Sequence, residues 1–454
     1  MRRTWLILCA GLAPAIQAAP LPLAVKQVQV QAHPDVADLV CDKRVSTPRA
    51  PAPANPDPLE IPTGDTVEEM TSPEDVAPAP LPPASVPSVR PAAGSFRMAI
   101  WGDSHLAAAF FSDELIKYLH VPADAVMNQL LPANMGRAGV RLPLRRTCVS
   151  PQWQYEPGYL GRDNTTTPGP GLMNMYSDQP GSTLAWDLRK DAQAPGYERV
   201  RILYQQRETP MVVALSVDGG TEQEVTLDGA AGPAALELVA DRPMAQVKLR
   251  LVDARFRLQG LELLAKQPYG FQMDVFGYPG ATVAGWKSAQ ADYFNAWFTQ
   301  PYQLVMLEFG TNEGNVKPFD IATYRSTLVQ SVRAMRAAFP AAACVLIAPG
   351  DRGVLVPRSA NIRKKGVRKA VAKKIDLLVY GRIHAEIGRV QAQVAQDAGC
   401  SSWSMQDAMG GPGSAYRWAR QSPALMAPDL IHFTVAGYQR LAQAFARDMG
   451  WTPF

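Results

Sequence analysis

The sequence predicts an α/β protein whose parallel-sheet domain is split by an inserted all-β unit. Two sequence patterns support this prediction. Apolar runs that alternate with helical stretches build a parallel sheet with helices on its faces; these runs are 96–101, 273–276, 304–309 and 345–348. Short alternating runs separated by Gly, Asp and Pro turns are typical of a β-sandwich; these are 200–204, 211–215, 236–239 and 247–251.

These patterns, together with the composition of the first 95 residues, divide the 454 residues into five segments. Residues 1–19 have two arginines, an apolar stretch and small residues, which indicates a secretory signal peptide too short to span a bilayer. Thirteen prolines between 48 and 91 predict an extended arm, because proline lacks a backbone donor. The predicted segments are a signal peptide (1–19), a proline-rich arm (20–95), the first part of the α/β domain (96–150), the inserted β unit (151–268) and the second part of the α/β domain (269–454).

The overall charge excludes one class of function. A net charge of +4 is nearly neutral for this length, whereas a nucleic-acid binder needs a large basic excess to neutralise phosphates. Export followed by cleavage predicts a periplasmic protein with no stable membrane insertion. A basic run at 358–374 has eight Lys or Arg residues and no acid. We interpret it as a solvated helix face, or else as a patch that attracts an anionic polymer.

Four cysteines follow the predicted signal peptide, and in an oxidising compartment they allow three disulfide pairings. Cys344 and Cys400 each open a strand-like run that follows a helix. If those strands are parallel neighbours, the two sulfurs lie at the same end of the sheet. We therefore predict Cys344–Cys400 and, by subtraction, Cys41–Cys148, with free buried thiols as the alternative.

Two turns after strands carry the first chemical signals. Residues 102–105 read Gly-Asp-Ser-His and place Ser104 at the start of a helix, where backbone N–H groups converge. Taken alone, such a serine is an ordinary helix cap. Residues 277–282 form a second turn, in which Gly280 lets a backbone N–H approach a substrate closely.

A third signal follows the apolar run 304–307, where residues 310–313 read Gly-Thr-Asn-Glu. Asn312 is predicted at the carboxyl edge of the sheet, where open α/β sheets bind ligands. Its amide can donate a hydrogen bond to an oxygen that becomes negative during acyl transfer.

The fourth signal is an aspartate three residues before a histidine, at 429–432. Asp429 can orient the His432 imidazole while the other ring nitrogen faces Ser104. A serine hydroxyl needs such a pair, because it is a poor nucleophile until its proton is removed. The chain has five histidines, and His105 is badly placed to act as the base because it directly follows Ser104 in the sequence.

Together the four signals resemble the sequence blocks of the SGNH (GDSL-type) hydrolases. The resemblance implies a flavodoxin-like three-layer α/β/α fold, a catalytic triad of Ser104, His432 and Asp429, an oxyanion hole made by Ser104, Gly280 and Asn312, and no cofactor. The Gly-Thr-Asn-Glu variant resembles the exported peptidoglycan O-acetylesterases. Members of that branch can carry an inserted β-sandwich that resembles a carbohydrate-binding module, as the inserted unit here would.

The resemblance implies an esterase that removes acetyl groups from a cell-envelope glycan, with peptidoglycan as the expected partner. Two alternatives stay open: an O-acetyltransferase that uses the same triad, and a carbohydrate-binding protein that does not use it. No spacing of His, Cys or carboxylate residues in the sequence suggests a metal site.

Overall fold

The computed structural model describes residues 21–34, 36–41, 59–62, 96–121, 126–127, 129–162, 167–264, 270–357 and 375–453. The predicted signal peptide, most of the proline-rich segment between 48 and 91, and the basic run at 358–374 lie outside these residues. Among the helices described, none is long and apolar enough to cross a membrane.

Six parallel strands form the central sheet. Their order across the sheet is Ser401–Ser404, Ala343–Ala348, Leu304–Glu308, Phe96–Gly102, Phe271–Gly277 and Val126–Met127. The four strands predicted in the α/β domain are confirmed. Every residue of Phe96–Gly102 and Leu304–Glu308 is buried. Continuous apolar runs form strands here because both faces of the sheet are covered.

Helices cover both faces of this sheet. Successive strand residues point to opposite faces, and accordingly Ile100 packs in one core with Phe111 and Phe445, while Trp101 packs in a second core with Leu328. The α-helices are Ser104–Ala107, Phe110–Tyr118, Ala291–Phe294, Ile321–Ala338, Val379–Asp397, Met405–Met409, Ser414–Ala419 and Val435–Asp448. The 3₁₀ turns are Gly158–Leu160, Val283–Ser288, Asn295–Trp297 and Glu313–Asn315.

Two further sheets, mostly antiparallel, pack against each other. The larger contains Ala24–Val30, Gly232–Met244, Tyr197–Gln206, Phe256–Leu264, Asn174–Ser177 and Gln154–Glu156, with Leu130–Pro132 also paired to Phe256–Leu264. The smaller contains Gln223–Leu227, Met211–Val217, Gln246–Asp253, Thr183–Asp187 and Arg146–Val149. Ile202 and Leu236 of the first share one core with Val213, Leu249 and Trp186 of the second.

The two sheets draw on residues outside the predicted 151–268 unit. Strand Ala24–Val30, within the predicted arm, pairs in parallel with Gly232–Met244. Its signal in the sequence is weak because Val28 is its one buried residue. A second piece of the arm, Leu59–Glu60, pairs with Val356–Pro357 beside the central sheet. The arm is therefore structured at both of these points. A short two-stranded pairing such as this depends on its neighbours for stability.

Both predicted disulfides are confirmed. Cys344 and Cys400 precede the parallel partners Val345 and Ser401, and their Cα atoms are 4.8 Å apart. The Cα atoms of Cys41 and Cys148 are 5.2 Å apart, and this bond joins the arm to strand Arg146–Val149.

Candidate active site

Ser104 lies at the turn between strand Phe96–Gly102 and the short helix that it begins. Asp103 caps this helix, because its Oδ1 accepts from the His105 N–H at 2.9 Å. Two glycines let the surrounding backbone pack closely. A Cβ at Gly102 would lie 2.5 Å from Glu308 Oε2, and one at Gly277 would lie 2.6 Å from the Leu106 backbone. Any larger residue at either position would displace the turn that carries Ser104.

The structure brings Ser104 and His432 together across the fold. His432 Nε2 is 2.9 Å from Ser104 Oγ, and His432 Nδ1 is 2.7 Å from Asp429 Oδ2. These are hydrogen-bond distances, and they form a continuous line from hydroxyl to imidazole to carboxylate. The arrangement can take the proton from the serine as it attacks an ester carbonyl.

The loop that carries Asp429 and His432 is held by its own backbone. Asp429 Oδ1 accepts from the N–H groups of Ile431 and His432, each at 3.0 Å. Leu430 is fully buried with a φ of 56°. Burial raises the pKa of Asp429, but the hydrogen bonds from His432 and the backbone outweigh it, so that the net pKa is lowered. Asp429 is therefore a carboxylate at neutral pH.

The three residues predicted to form an oxyanion hole lie at the same edge of the sheet. Gly280 has a φ of 82°, and a Cβ there would meet no atom within 4 Å. Among the described residues, the N–H groups of Ser104 and Gly280 have no acceptor. Asn312 Nδ2 is 2.9 Å from the Ala281 oxygen and 3.5 Å from Asp103 Oδ2, so this side chain joins the second and third turns. The assignment of these three residues to an oxyanion hole stays a prediction.

We expect Asn312→Ala to lower kcat for an aryl acetate by about 10²- to 10³-fold with little change in KM, because the amide would act on charge that develops after binding. Steady-state kinetics checks this. Asn315→Ala is the matched control, since Asn315 is exposed at the end of the same turn. An unchanged kcat in Asn312→Ala would contradict the assignment.

Three acidic side chains lie beneath the serine turn, and sequence reasoning missed the roles of all three. Burial raises the pKa of Asp103 to about 6 and that of Glu313 to about 7. Burial and then repulsion from Asp103 raise the pKa of Glu308 well above its ordinary value. Glu308 accepts from the Asp103 N–H at 3.1 Å, so it positions the residue before Ser104. The sequence does carry a signal for Glu308, because it is a charged residue at the end of an otherwise apolar strand.

Glu313 joins two turns of the site. Its Oε1 accepts from the Val283 N–H at 2.8 Å, and its Oε2 accepts from the Gly310 N–H at 3.1 Å. Val283 follows the Gly280 turn, whereas Gly310 begins the Asn312 turn. Glu313 therefore fixes the distance between the two predicted oxyanion donors outside the serine turn.

We expect Glu308→Gln to flatten the dependence of stability on pH. Burial and repulsion from Asp103 raise the pKa of Glu308 in the folded protein well above its ordinary value of 4.5, so the unfolded chain releases this proton at a lower pH. The free energy of unfolding therefore falls as pH rises above 4.5, by at most about 1.4 kcal/mol per pH unit. Glutamine does not titrate, so the variant loses less stability over this rise in pH.

Urea unfolding at a series of pH values measures this effect. Glu386→Gln is the control, because Glu386 lies in a solvent-facing pair with Arg389. Equal slopes for the wild type and Glu308→Gln would contradict a raised pKa of Glu308.

The other two histidines of the sheet edge are buried. His105 Nδ1 lies 3.2 Å from the Tyr438 hydroxyl, and burial lowers the pKa of His105 to about 3. His384 Nδ1 lies 2.7 Å from the Gly350 oxygen, and burial lowers its pKa to about 4. Both rings are therefore neutral near pH 7. His432, in contrast, contacts Ser104 directly. In the part of the chain that the structure describes, no group of three or more His, Cys, Asp and Glu residues could hold a metal ion.

Comparison with known proteins gives matches in structure rather than in sequence. No family model matches the chain, and no curated protein matches it. The fold is similar to that of a solved peptidoglycan O-acetylesterase, with a TM-score of 0.56 and 22% identity over 79% of this chain and 91% of that one. A family two carbohydrate esterase from Cellvibrio japonicus gives a TM-score of 0.23 and 12% identity over 67% of this chain and 98% of that one.

A GDSL-like lipase from Parabacteroides merdae gives a TM-score of 0.28 and 14% identity over 40% of this chain and 73% of that one. The first of the three similarities agrees with the parallel sheet and with the position of Ser104 at its carboxyl edge. The chain therefore shares the fold of that solved peptidoglycan O-acetylesterase.

Proposed function

We propose that this protein is an exported serine esterase that removes O-acetyl groups from a cell-envelope glycan, with peptidoglycan as the substrate. The observation that carries the proposal is the line of hydrogen bonds from Ser104 Oγ to His432 Nε2 at 2.9 Å and from His432 Nδ1 to Asp429 Oδ2 at 2.7 Å. The similarity in fold to a peptidoglycan O-acetylesterase supports the same class of substrate.

The reaction has two halves. Ser104 Oγ attacks the acetyl carbonyl carbon while His432 Nε2 takes the hydroxyl proton. The tetrahedral intermediate then collapses, and the bond to the sugar oxygen breaks. That oxygen takes the proton from His432 and leaves as a glycan hydroxyl, so the acetyl group stays on Ser104 as an ester.

Water completes the cycle. His432 takes a proton from a water molecule as the water oxygen attacks the acetyl carbon of the acyl-enzyme. Acetate leaves, and Ser104 Oγ regains its proton from His432. In both halves the carbonyl oxygen becomes negative near the N–H groups of Ser104 and Gly280 and the amide of Asn312, which would stabilise it. Asp429 keeps the imidazole oriented and stabilises its protonated form.

The openness of the triad favours hydrolysis over transfer to a second sugar. The side chains of His432 and Asp429 are 41% and 45% exposed. Water can therefore reach the acyl-enzyme, whereas a transferase must exclude water from this intermediate. The two disulfides fit a protein that folds in an oxidising compartment, and we place it in the periplasm.

We also propose that the two packed sheets form a carbohydrate-binding unit. Their shared core is apolar, so the unit does not need the α/β domain to bury its inner faces. Binding glycan on this unit would hold a polymer near Ser104 and raise the local concentration of acetyl esters.

The test is to incubate the protein with O-acetylated peptidoglycan and, separately, with an aryl acetate together with unacetylated glycan. We expect free acetate from the first reaction, and free acetate with little acetylated sugar from the second. Accumulation of acetylated sugar would identify a transferase instead. If neither reaction exceeds the rate without protein, the enzymatic proposal fails.

A further inference from the structure

A second group of residues lies next to the triad loop, and the mechanism above does not use it. The loop 349–353 follows strand Ala343–Ala348 at the carboxyl edge of the sheet. Its Gly353 N–H donates to the Leu430 oxygen at 3.0 Å, between Asp429 and His432. A Cβ at Gly350 would lie 2.5 Å from the Phe433 ring. The two loops are therefore in direct contact, and Arg352 lies beside the triad.

The loop around Arg352 is rigidly anchored. Asp351 is buried; its Oδ1 accepts from Gln406 Nε2 and its Oδ2 from the Ala415 N–H, both at 2.8 Å. On the other side, the Val354 N–H donates to the Tyr416 hydroxyl at 2.7 Å. A side chain between two anchored neighbours has a restricted position, and such preorganisation favours ligand binding.

The Arg352 guanidinium itself has no hydrogen-bond partner among the described residues. Its Nε and Nη1 are inaccessible to solvent. Its central carbon lies 4.0 Å from the centre of the Tyr380 ring, and Lys317 Nζ lies 5.5 Å from the same ring. Because Nε and Nη1 are enclosed, a ligand can reach this guanidinium only through Nη2, where a carboxylate would form a charge-assisted hydrogen bond.

Asp429 is an acid whose charge acts on this group, but its oxygens are already engaged. Asp429 accepts from His432 Nδ1 and from two backbone N–H groups. Asp429 therefore attracts Arg352 through charge without being its hydrogen-bond partner. The second positive charge, on Lys317, has no carboxylate within ion-pair distance among the described residues.

We propose that Arg352, stacked on Tyr380 and assisted by Lys317, binds a carboxylate of the acetylated glycan and so selects anionic sugar esters. This inference deepens the proposed function and rests on it for the reaction. It adds that the substrate carries a free carboxylate close to the acetylated sugar, as a sugar acid does, or a lactyl ether whose carboxyl is not amide-linked to a stem peptide. The guanidinium would orient the glycan while Ser104 attacks the ester.

The first experiment compares two substrates that differ only in charge: 6-O-acetylmuramic acid and its primary amide. For the wild type we expect kcat/KM to favour the acid by about 10- to 100-fold, the range of a hydrogen bond to a charged group. Arg352→Gln is expected to lose this preference, and Arg352→Lys to keep part of it. Arg325→Gln is the matched control and should keep it fully, because Arg325 is an exposed residue that pairs with Asp397.

Two outcomes would overturn the proposal. One is that Arg352 does not select the acid: either the wild type shows no preference for it, or Arg352→Gln keeps the full preference. The other is an equal loss of rate on both substrates in Arg352→Gln, which would assign Arg352 to support of the triad instead. Thermal unfolding of each variant shows whether a change in rate comes from a folding defect.

Calorimetric binding of unacetylated muramic acid separates this proposal from the proposed function, because the ligand contains no ester. We expect binding that weakens by about tenfold or more in Arg352→Gln and with the primary amide. If this binding is found without any acetate release, the esterase proposal fails and the subsite stands. If acetate is released but Arg352→Gln binds as the wild type does, the subsite fails.

Discussion

Replacing Ser104 with alanine is expected to lower kcat for an aryl acetate by about 10⁴- to 10⁶-fold. The variant has no hydroxyl 2.9 Å from His432 Nε2 and therefore forms no acyl-enzyme. Donors of the oxyanion hole and substrate binding would still give a small residual rate above water. The measurement is release of the aryl alcohol, with a burst of one equivalent expected for the wild type and none for the variant.

The controls for this prediction are a second serine and a double variant. Ser326→Ala removes an exposed hydroxyl on helix Ile321–Ala338 and should leave the rate unchanged. Ser104→Ala combined with His432→Ala should be about as slow as either single variant, because the two residues act as one unit. Multiplicative losses in the double variant would show that Ser104 and His432 act independently, and wild-type turnover in Ser104→Ala would remove Ser104 from the mechanism.

The second large effect is expected for Asp429→Asn, with a loss in kcat of about 10⁴-fold. Asp429 accepts three hydrogen bonds, one from His432 Nδ1 and two from the backbone. An asparagine has one acceptor oxygen, so its NH₂ group must face either the backbone N–H groups or the imidazole. If it faces the imidazole, it favours the tautomer whose Nε2 carries the proton and cannot accept the one from Ser104.

Kinetics at pH 7 and at higher pH check the Asp429 prediction. The lowered pKa of Asp429 keeps the wild-type residue ionised across this range, so the ratio of wild-type to variant rates should change little with pH. Asp397→Asn is the matched control, because Asp397 is an exposed residue on the helix Val379–Asp397. A variant within tenfold of the wild type would show that His432 does not need this carboxylate.

The triad could be proposed from sequence because its chemistry needs few residue types in a fixed order. Ser104, Asn312 and His432 each follow or precede a recognisable element, and few histidines compete for the role of base. The structure places Ser104 and His432 within hydrogen-bonding distance. The pairing of Cys344 with Cys400 could be predicted for a similar reason, since adjacent parallel strands fix the register of the residues that open them.

Other features could not be predicted because they depend on contacts between distant parts of the chain. The strand Ala24–Val30 is recognised only through its parallel partner, since its own pattern buries one residue. Glu308 and Glu313 look like ordinary acids in the sequence. Their hydrogen bonds to the backbone of the turns of the site are seen only in the structure. Arg352 is one of many basic residues in the sequence, and its importance comes from the loop contact between Gly353 and Leu430.

The 328-residue separation between Ser104 and His432 also affects when the protein can act. Ribosomes add about 5 to 20 residues per second, so Ser104 is synthesised roughly 15 to 65 seconds before His432. A chain that crosses a membrane with its amino terminus first would emerge in the same order. Throughout that interval Ser104 has no His432 to contact. The proposed acyl transfer would therefore begin as a single late event, after the intervening β-sheets have had time to form.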